Sequence, residues 1–165
     1  MELRRYKSSD AKIILTWIDS EREFRLWSAD RYGNYPIIPD DMNKNYMECS
    51  KHTGFYPLTM IDDDIVIGHL ILRNPSEDKS TVRMGFIIVD SNIRGKGYGK
   101  KIIELAINYA RVKLNAKEIN LGVFTCNENA LHCYEKMGFE TVDIKHNAYR
   151  FHDEIWDQAE MILRK

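Results

Sequence analysis

A chain of 165 residues with 44% hydrophobic and 30% charged residues has the length and composition of one ordinary globular domain. Its formal net charge of −1 excludes a global electrostatic case for nucleic acid or an anionic membrane. The three cysteines, Cys49, Cys126 and Cys133, are odd in number and lack CxxC spacing, which argues against a disulfide framework or a zinc site, so no metal is expected.

No apolar run approaches a membrane span, and "MELRRYKSSD" has no signal-peptide stretch, so the expected location is the cytoplasm. "LRRY" reads as a short strand. "SSDAKIILTWIDS" opens on Ser/Asp capping residues and continues with Ile13, Ile14, Trp17 and Ile18 at helical spacing, which predicts a helix. "EREFRLWSAD" and "DDMNKNYMECSKH" are further helix candidates around the turn-rich loop "YGNYPIIPDD". "FYPLTMI" and "IVIGHLILR" flank "DDD" and predict a hairpin. "STVRMGFIIV" is the next strand, followed after "IRGKGYGKK" by a helix from about Tyr98 to Leu114. "EINLGVF" is a strand. "NENALHCYEKMGF" is a helix with Asn127 near its start and Gly138 as its stop. "ETVDIKH" and "IWDQAEMILR" predict two closing strands joined by "NAYRFHD". The order predicts an α+β domain, a single unit over residues 1–165, built on a mixed sheet.

The junction "IRGKGYGKK" (Ile93 to Lys101) joins a strand to a helix. The first amides of a helix lack internal partners, and its dipole is positive there. Glycines let an anion approach the backbone, and Arg94, Lys96 and Lys100 add charge. Those features describe a pyrophosphate cradle. Neither the Walker A pattern nor the Rossmann fingerprint is matched, since Gly95, Gly97 and Gly99 give GxGxG.

Arg94-Gly95-Lys96-Gly97-Tyr98-Gly99 resembles the [RQ]xxGxG acyl-CoA loop of the GNAT family of N-acetyltransferases. Downstream, Asn127, Ala130, Tyr134, Lys136, Gly138 and Phe139 resemble that family's NxxAxxxYxKxGF helix. Two motifs in order, separated by a helix and a strand, identify the chain as a member far more specifically than either alone. The C-terminal pattern is similar to the subgroup of ribosomal-protein N-terminal and spermidine acetyltransferases. The resemblance implies a mixed, mostly antiparallel sheet of six to seven strands with a splayed parallel pair, flanked by about four helices.

It also implies the chemistry. Ile87, Ile88 and Val89 would pair through their backbone with the pantetheine arm of acetyl-CoA. The loop amides of Arg94 to Gly99, with Lys100, would hold the pyrophosphate. Asn127 would hydrogen-bond the arm, and Tyr134 would protonate the departing thiolate. Asn127 also reads as a plain N-cap, and Tyr134 as a core aromatic. Cys133 projects about 100° away from Tyr134 on a helix and reads as packing.

Many family members carry a glutamate base eleven residues before the Arg/Gln of the loop, and here that position is Arg83. Arg83 is either a solvated or ion-paired strand residue or one that faces an acidic group on the substrate. A water relay then stands in for the base, with His69 a weaker candidate. In the family the acceptor site is built from the N-terminal helices and the last hairpin. Here that region holds Phe24, Trp27, Tyr32, Tyr35, Tyr149, Phe151 and Trp156, with Glu21, Glu23, Asp30, Asp40 and Asp41 nearby. The expected partners are acetyl-CoA and an amine acceptor (a protein N-terminus, a polyamine or another small amine). The alternative is a non-catalytic acyl-CoA sensor of the same fold. Family members are often homodimers, which sequence leaves open here.

Overall fold

Runs of β-branched residues alternate with helix-forming runs, and in the computed structural model, which describes residues 1–164, they become seven strands and five α-helices. The order is β1 (Glu2–Arg5), α1 (Ala11–Ile14), α2 (Glu21–Ser28), α3 (Pro39–Cys49), β2 (Phe55–Asp62), β3 (Ile65–Arg73), β4 (Thr81–Val89), α4 (Tyr98–Lys113), β5 (Glu118–Phe124), α5 (Glu128–Lys136), β6 (Glu140–Phe151) and β7 (Glu154–Leu163). One sheet runs β1-β2-β3-β4-β5-β7-β6. Its neighbours are antiparallel except β4 and β5, which the α4 crossover makes parallel. Asp63 and Asp64 take φ of 46° and 65°, the left-handed pair that a tight hairpin between β2 and β3 requires. Among the described residues no helix is long and apolar enough to cross a membrane.

Strand periodicity sends alternate side chains to opposite faces, and each face has its own helices. Leu70, Leu72, Val82 and Met84 pack with Ile102, Ile103, Ala106 and Ala110 of α4. The small alanines let α4 lie close to the sheet; a Cβ on Gly68 of β3 would come within 2.9 Å of the Ile102 side chain. On the opposite face Ile71 and Ile88 pack with Ile14, Trp17, Met42 and Tyr46 of the N-terminal helices. Each fully buried aliphatic side chain contributes about 2 kcal/mol.

Two elements differ from expectation. The segment expected as one helix at "SSDAKIILTWIDS" is a single α-turn between the 3-10 turns Ser8–Asp10 and Leu15–Trp17. Its cap is reversed: the Asp10 carboxylate reaches back to the Lys7 amide at 2.9 Å and also binds both Arg4 nitrogens and the Thr59 hydroxyl. This tertiary demand on Asp10 overrides the local helix signal. The segment "NAYRFHD" is not a long connection either. Strand β6 continues to Phe151, with a register shift between Lys145 and Tyr149 and Asn147 at φ 53°. The extra residues bulge out, so pairing survives a stretch that reads as a loop.

Candidate active site

β4 and β5 pair only from Thr81–Met84 against Glu118–Leu121, although β4 runs on to Val89 and β5 to Phe124. β5 keeps its other neighbour throughout, pairing with β7 as far as Phe124. The edge of β4 from Gly85 to Val89 is therefore open toward β5. The cause is local. Phe86 sits at φ 54°, and the β3–β4 register shifts opposite it, between His69 and Ile71. A bulge of this kind bends the strand. The Trp27 indole of α2 donates to the Phe86 carbonyl at 2.9 Å and packs edge-on against its ring, which holds the bend.

Where β4 ends, the chain enters the glycine loop. Gly97 is the N-cap of α4 with φ 87°, and Gly95 has φ 78°, both left-handed values that glycine adopts without strain. The α4 ladder begins with the Lys101 amide on the Gly97 carbonyl, so the amides of Tyr98, Gly99 and Lys100 lie ahead of it. A Cβ at Gly95, Gly97 or Gly99 would meet nothing within 4 Å, so the space over this backbone is open.

A cleft of about 1090 Å³ runs from this loop through the gap between β4 and β5, with α2 on one side and α5 on the other. Ile87, Ile88, Val89, Arg94, Gly95 and Gly97 line it, and so do Gly99, Lys100, Asn127 and Tyr134. Lys96 and Tyr98 lie outside the lining; Lys96 is exposed, and Tyr98, the first residue of α4, packs on the core. The Arg94 guanidinium is engaged elsewhere, bound to Glu23 and the Trp17 carbonyl at 3.0 Å each. Its side chain ties the loop to α2, leaving the backbone as its contribution to the cradle.

Across the gap, α5 presents Asn127 and Tyr134. Asn127 holds the N-cap position, but its side chain makes no cap hydrogen bond, so the amide group is available to the cleft. Tyr134 packs edge-on against Phe139, and burial pushes its phenol above the ordinary tyrosine range. Like an ordinary tyrosine it is protonated, a donor, at neutral pH, and burial extends that range upward. Cys133 packs partly on the core and partly lines the cleft; burial raises its thiol, which keeps it from acting as a thiolate.

Arg83 lines the cleft where β4 and β5 diverge, and it is ion-paired. Its two terminal nitrogens bind the two Glu160 oxygens at 2.8 and 3.2 Å, and one also reaches Asn120. Lys145 and Gln158 bind the same carboxylate. Burial acts to raise the Glu160 carboxyl, but these donors hold it below its ordinary range, so it is no base. His69 is fully buried, bonded to the Tyr46 hydroxyl at 2.7 Å and pushed by burial down to about 3. It lies outside the cleft lining, which removes it as a candidate base.

The expected acceptor aromatics divide. Phe24, Tyr32 and Trp156 are buried structural residues, whereas Trp27 lines the cleft. Tyr149 and Phe151 stack on Trp156 at the β6–β7 tip and border a separate hollow of about 300 Å³ with Glu21 and Asp30. Glu23 is taken by Arg94, and Asp41 binds the Ile38 amide at the start of α3. Sequence reasoning missed Phe86, Arg73, Gly122 and Gln158, all on the lining. Only Gly122, a lone glycine inside a strand, carried a signal: its Cβ would come within 2.5 Å of Gln158 and 2.6 Å of Arg83.

An open parallel pair leading into a glycine loop is the arrangement that the resemblance in the sequence implied, and the comparisons name the family. The profile of the Acetyltransferase (GNAT) family matches residues 20–139, and the chain belongs to that family. It is 28% identical over 113 residues to an N-alpha-acetyltransferase of Saccharolobus solfataricus, covering 63% of this chain and 68% of that one. It is 30% identical over 88 residues to a UPF0039 protein of Schizosaccharomyces pombe, covering 47% of this chain and 57% of the relative, so the match spans little more than half of the relative's length. The fold superposes with a TM-score of 0.81 on a spermidine N-acetyltransferase from Vibrio cholerae solved with CoA and spermine, at 20% identity, over 97% of this chain and 92% of that one.

Proposed function

We propose that this protein is an acetyl-CoA-dependent N-acetyltransferase that moves an acetyl group to a primary amine by direct attack in a ternary complex. The observation that carries the reading is the open edge of β4, Gly85 to Val89, leading into the glycine loop with Tyr134 across the gap. Acetyl-CoA supplies the acyl group as a thioester. The backbone of Ile87, Ile88 and Val89 offers unpaired groups to the pantetheine arm, in the manner of an added strand. The amides from Arg94 to Gly99, with the Lys96 and Lys100 charges, hold the pyrophosphate. Asn127 anchors the arm from α5.

Backbone amides facing the splay polarise the thioester carbonyl, as an oxyanion hole does. The Tyr134 hydroxyl, protonated at neutral pH, gives its proton to the leaving sulfur. The amine attacks with its lone pair and must lose a proton. Arg83 and Glu160 are committed to each other and His69 is out of reach, so water carries that proton out of the cleft. A protein N-terminus, a polyamine and other small amines are all acceptors of the required kind, and the spermine in the Vibrio cholerae structure belongs to this chemical class.

The test is calorimetric titration with acetyl-CoA followed by thiol release with amines and peptides. Saturable binding with release on at least one amine is expected, and Gly97→Glu should abolish both while the melting transition stays cooperative. Binding with no release on any amine would put the non-catalytic acyl-CoA sensor in its place. No binding would remove the reading altogether.

A further inference from the structure

Two arginines meet at one end of the cleft. Arg73 of β3 and Arg83 of β4 are register partners at the end of the cleft farthest from the glycine loop, and both line it. Arg83 is neutralised by Glu160, whose two oxygens already receive Arg83, Lys145 and Gln158. Arg31 is committed too, lying over the Phe86 ring at 4.6 Å and bonded to Asn45 and Cys49. Arg73 is different. Among the described residues no carboxylate lies within ion-pair distance of it and no group accepts a hydrogen bond from it, although it projects into the cleft. Desolvation first, then the Arg83 and Arg31 charges, lower its pKa, and Cys49 and Glu160 act weakly the other way.

Arg73 is exposed at the rim of the cleft, and a guanidinium there with no carboxylate partner can take an oxyanion in a planar fork. Arg83 precedes Gly85, the start of the open edge, by two residues, or about 7 Å along the strand. An anion on Arg73 therefore lies within a short spacer of an amine poised at the splay. A polyamine extended this way would press a second ammonium against Arg73, a like-charge contact that selects against it.

Resting on the acetyltransferase reading, we propose that Arg73 is a specificity-determining residue and that the acceptor is a primary amine which also carries an oxyanion, a carboxylate or a phosphate. The test compares four amines with acetyl-CoA: butylamine, 4-aminobutyrate, 2-aminoethyl phosphate and spermidine. Expected is a kcat/KM for 4-aminobutyrate or 2-aminoethyl phosphate at least about tenfold above butylamine, and the better of the two distinguishes the sources of the anion. Arg73→Gln should cut that anionic-to-neutral ratio by about 10- to 100-fold, the strength of a charged hydrogen bond. Arg73→Glu should move the preference toward spermidine.

A wild-type preference for butylamine or spermidine overturns the proposal, as does an Arg73→Gln variant that slows all four amines equally. Release from none of the four, with acetyl-CoA still binding by calorimetry, overturns it as well. Loss of acetyl-CoA binding itself is a different result, and it strikes the acetyltransferase reading.

Discussion

Tyr134 illustrates how much a single side chain depends on its surroundings. The same phenol on an exposed helix would titrate in its ordinary range and touch nothing. Here burial raises it and the gap between β4 and β5 opens in front of it. Tyr134→Phe keeps the ring contact with Phe139 and removes only the hydroxyl. If it is the acid, turnover should fall by about 10²- to 10⁴-fold while acetyl-CoA affinity changes little. Single-turnover kinetics beside calorimetry would check this, and a variant with normal turnover would take Tyr134 out of the mechanism. Arg83 teaches the converse lesson. The resemblance implies a base at its position, but its contacts make it half of an ion pair.

Elements are tied together here by buried polar groups as well as by apolar packing. Asp10 is 2% exposed and receives Arg4 of β1, the Lys7 amide ahead of the first turn and Thr59 of β2. Burial alone would raise its carboxyl, but these donors and the Arg4 charge outweigh that and hold it below the ordinary range. Asp10→Asn leaves Arg4 without its counter-charge. The expected loss is about 3 kcal/mol, the scale for breaking a buried pair. Urea denaturation at neutral pH would measure it. A loss under about 0.5 kcal/mol would mean that apolar packing alone seats β1 and the first helical turn.

At the scale of the whole molecule, burial makes stability depend on pH. His69 is neutral in the folded chain down to about pH 3, whereas an unfolded histidine protonates near ~6.5. Between those values the unfolded state binds the extra proton, so stability is fully present above about pH 6.5 and falls as pH drops through the window. At about 1.4 kcal/mol per pH unit, going from pH 7.5 to 5 should cost roughly 2 kcal/mol. Asp10 acts in the same direction lower down. Its folded pKa is depressed, so its contribution is present above about pH 4 and lost as pH falls further. Denaturation at pH 7.5 and 5.0, repeated with His69→Gln, would test this. The variant should show a flatter dependence, and a flat wild-type curve would contradict the burial of a neutral His69.

The class of fold, the order of strands and helices, the glycine cradle and the Asn127–Tyr134 helix were all legible in the chain. Each rests on local physics, namely side-chain periodicity, capping, and the backbone freedom of Gly95 and Gly97. What the sequence could not disclose was decided by contacts between distant segments. The bulge at Phe86 is held by Trp27, far away in the chain, which binds its carbonyl. The withdrawal of Asp10 from its helix, the pairing of Arg83 with Glu160 and the isolation of Arg73 in the cleft have the same origin. By itself the sequence determined the glycine loop that is proposed to cradle an acyl-CoA, because that loop is made of consecutive backbone. Only the tertiary structure decided what faces it, because the acceptor side is made of side chains whose charge and pKa depend on neighbours that the sheet brings together.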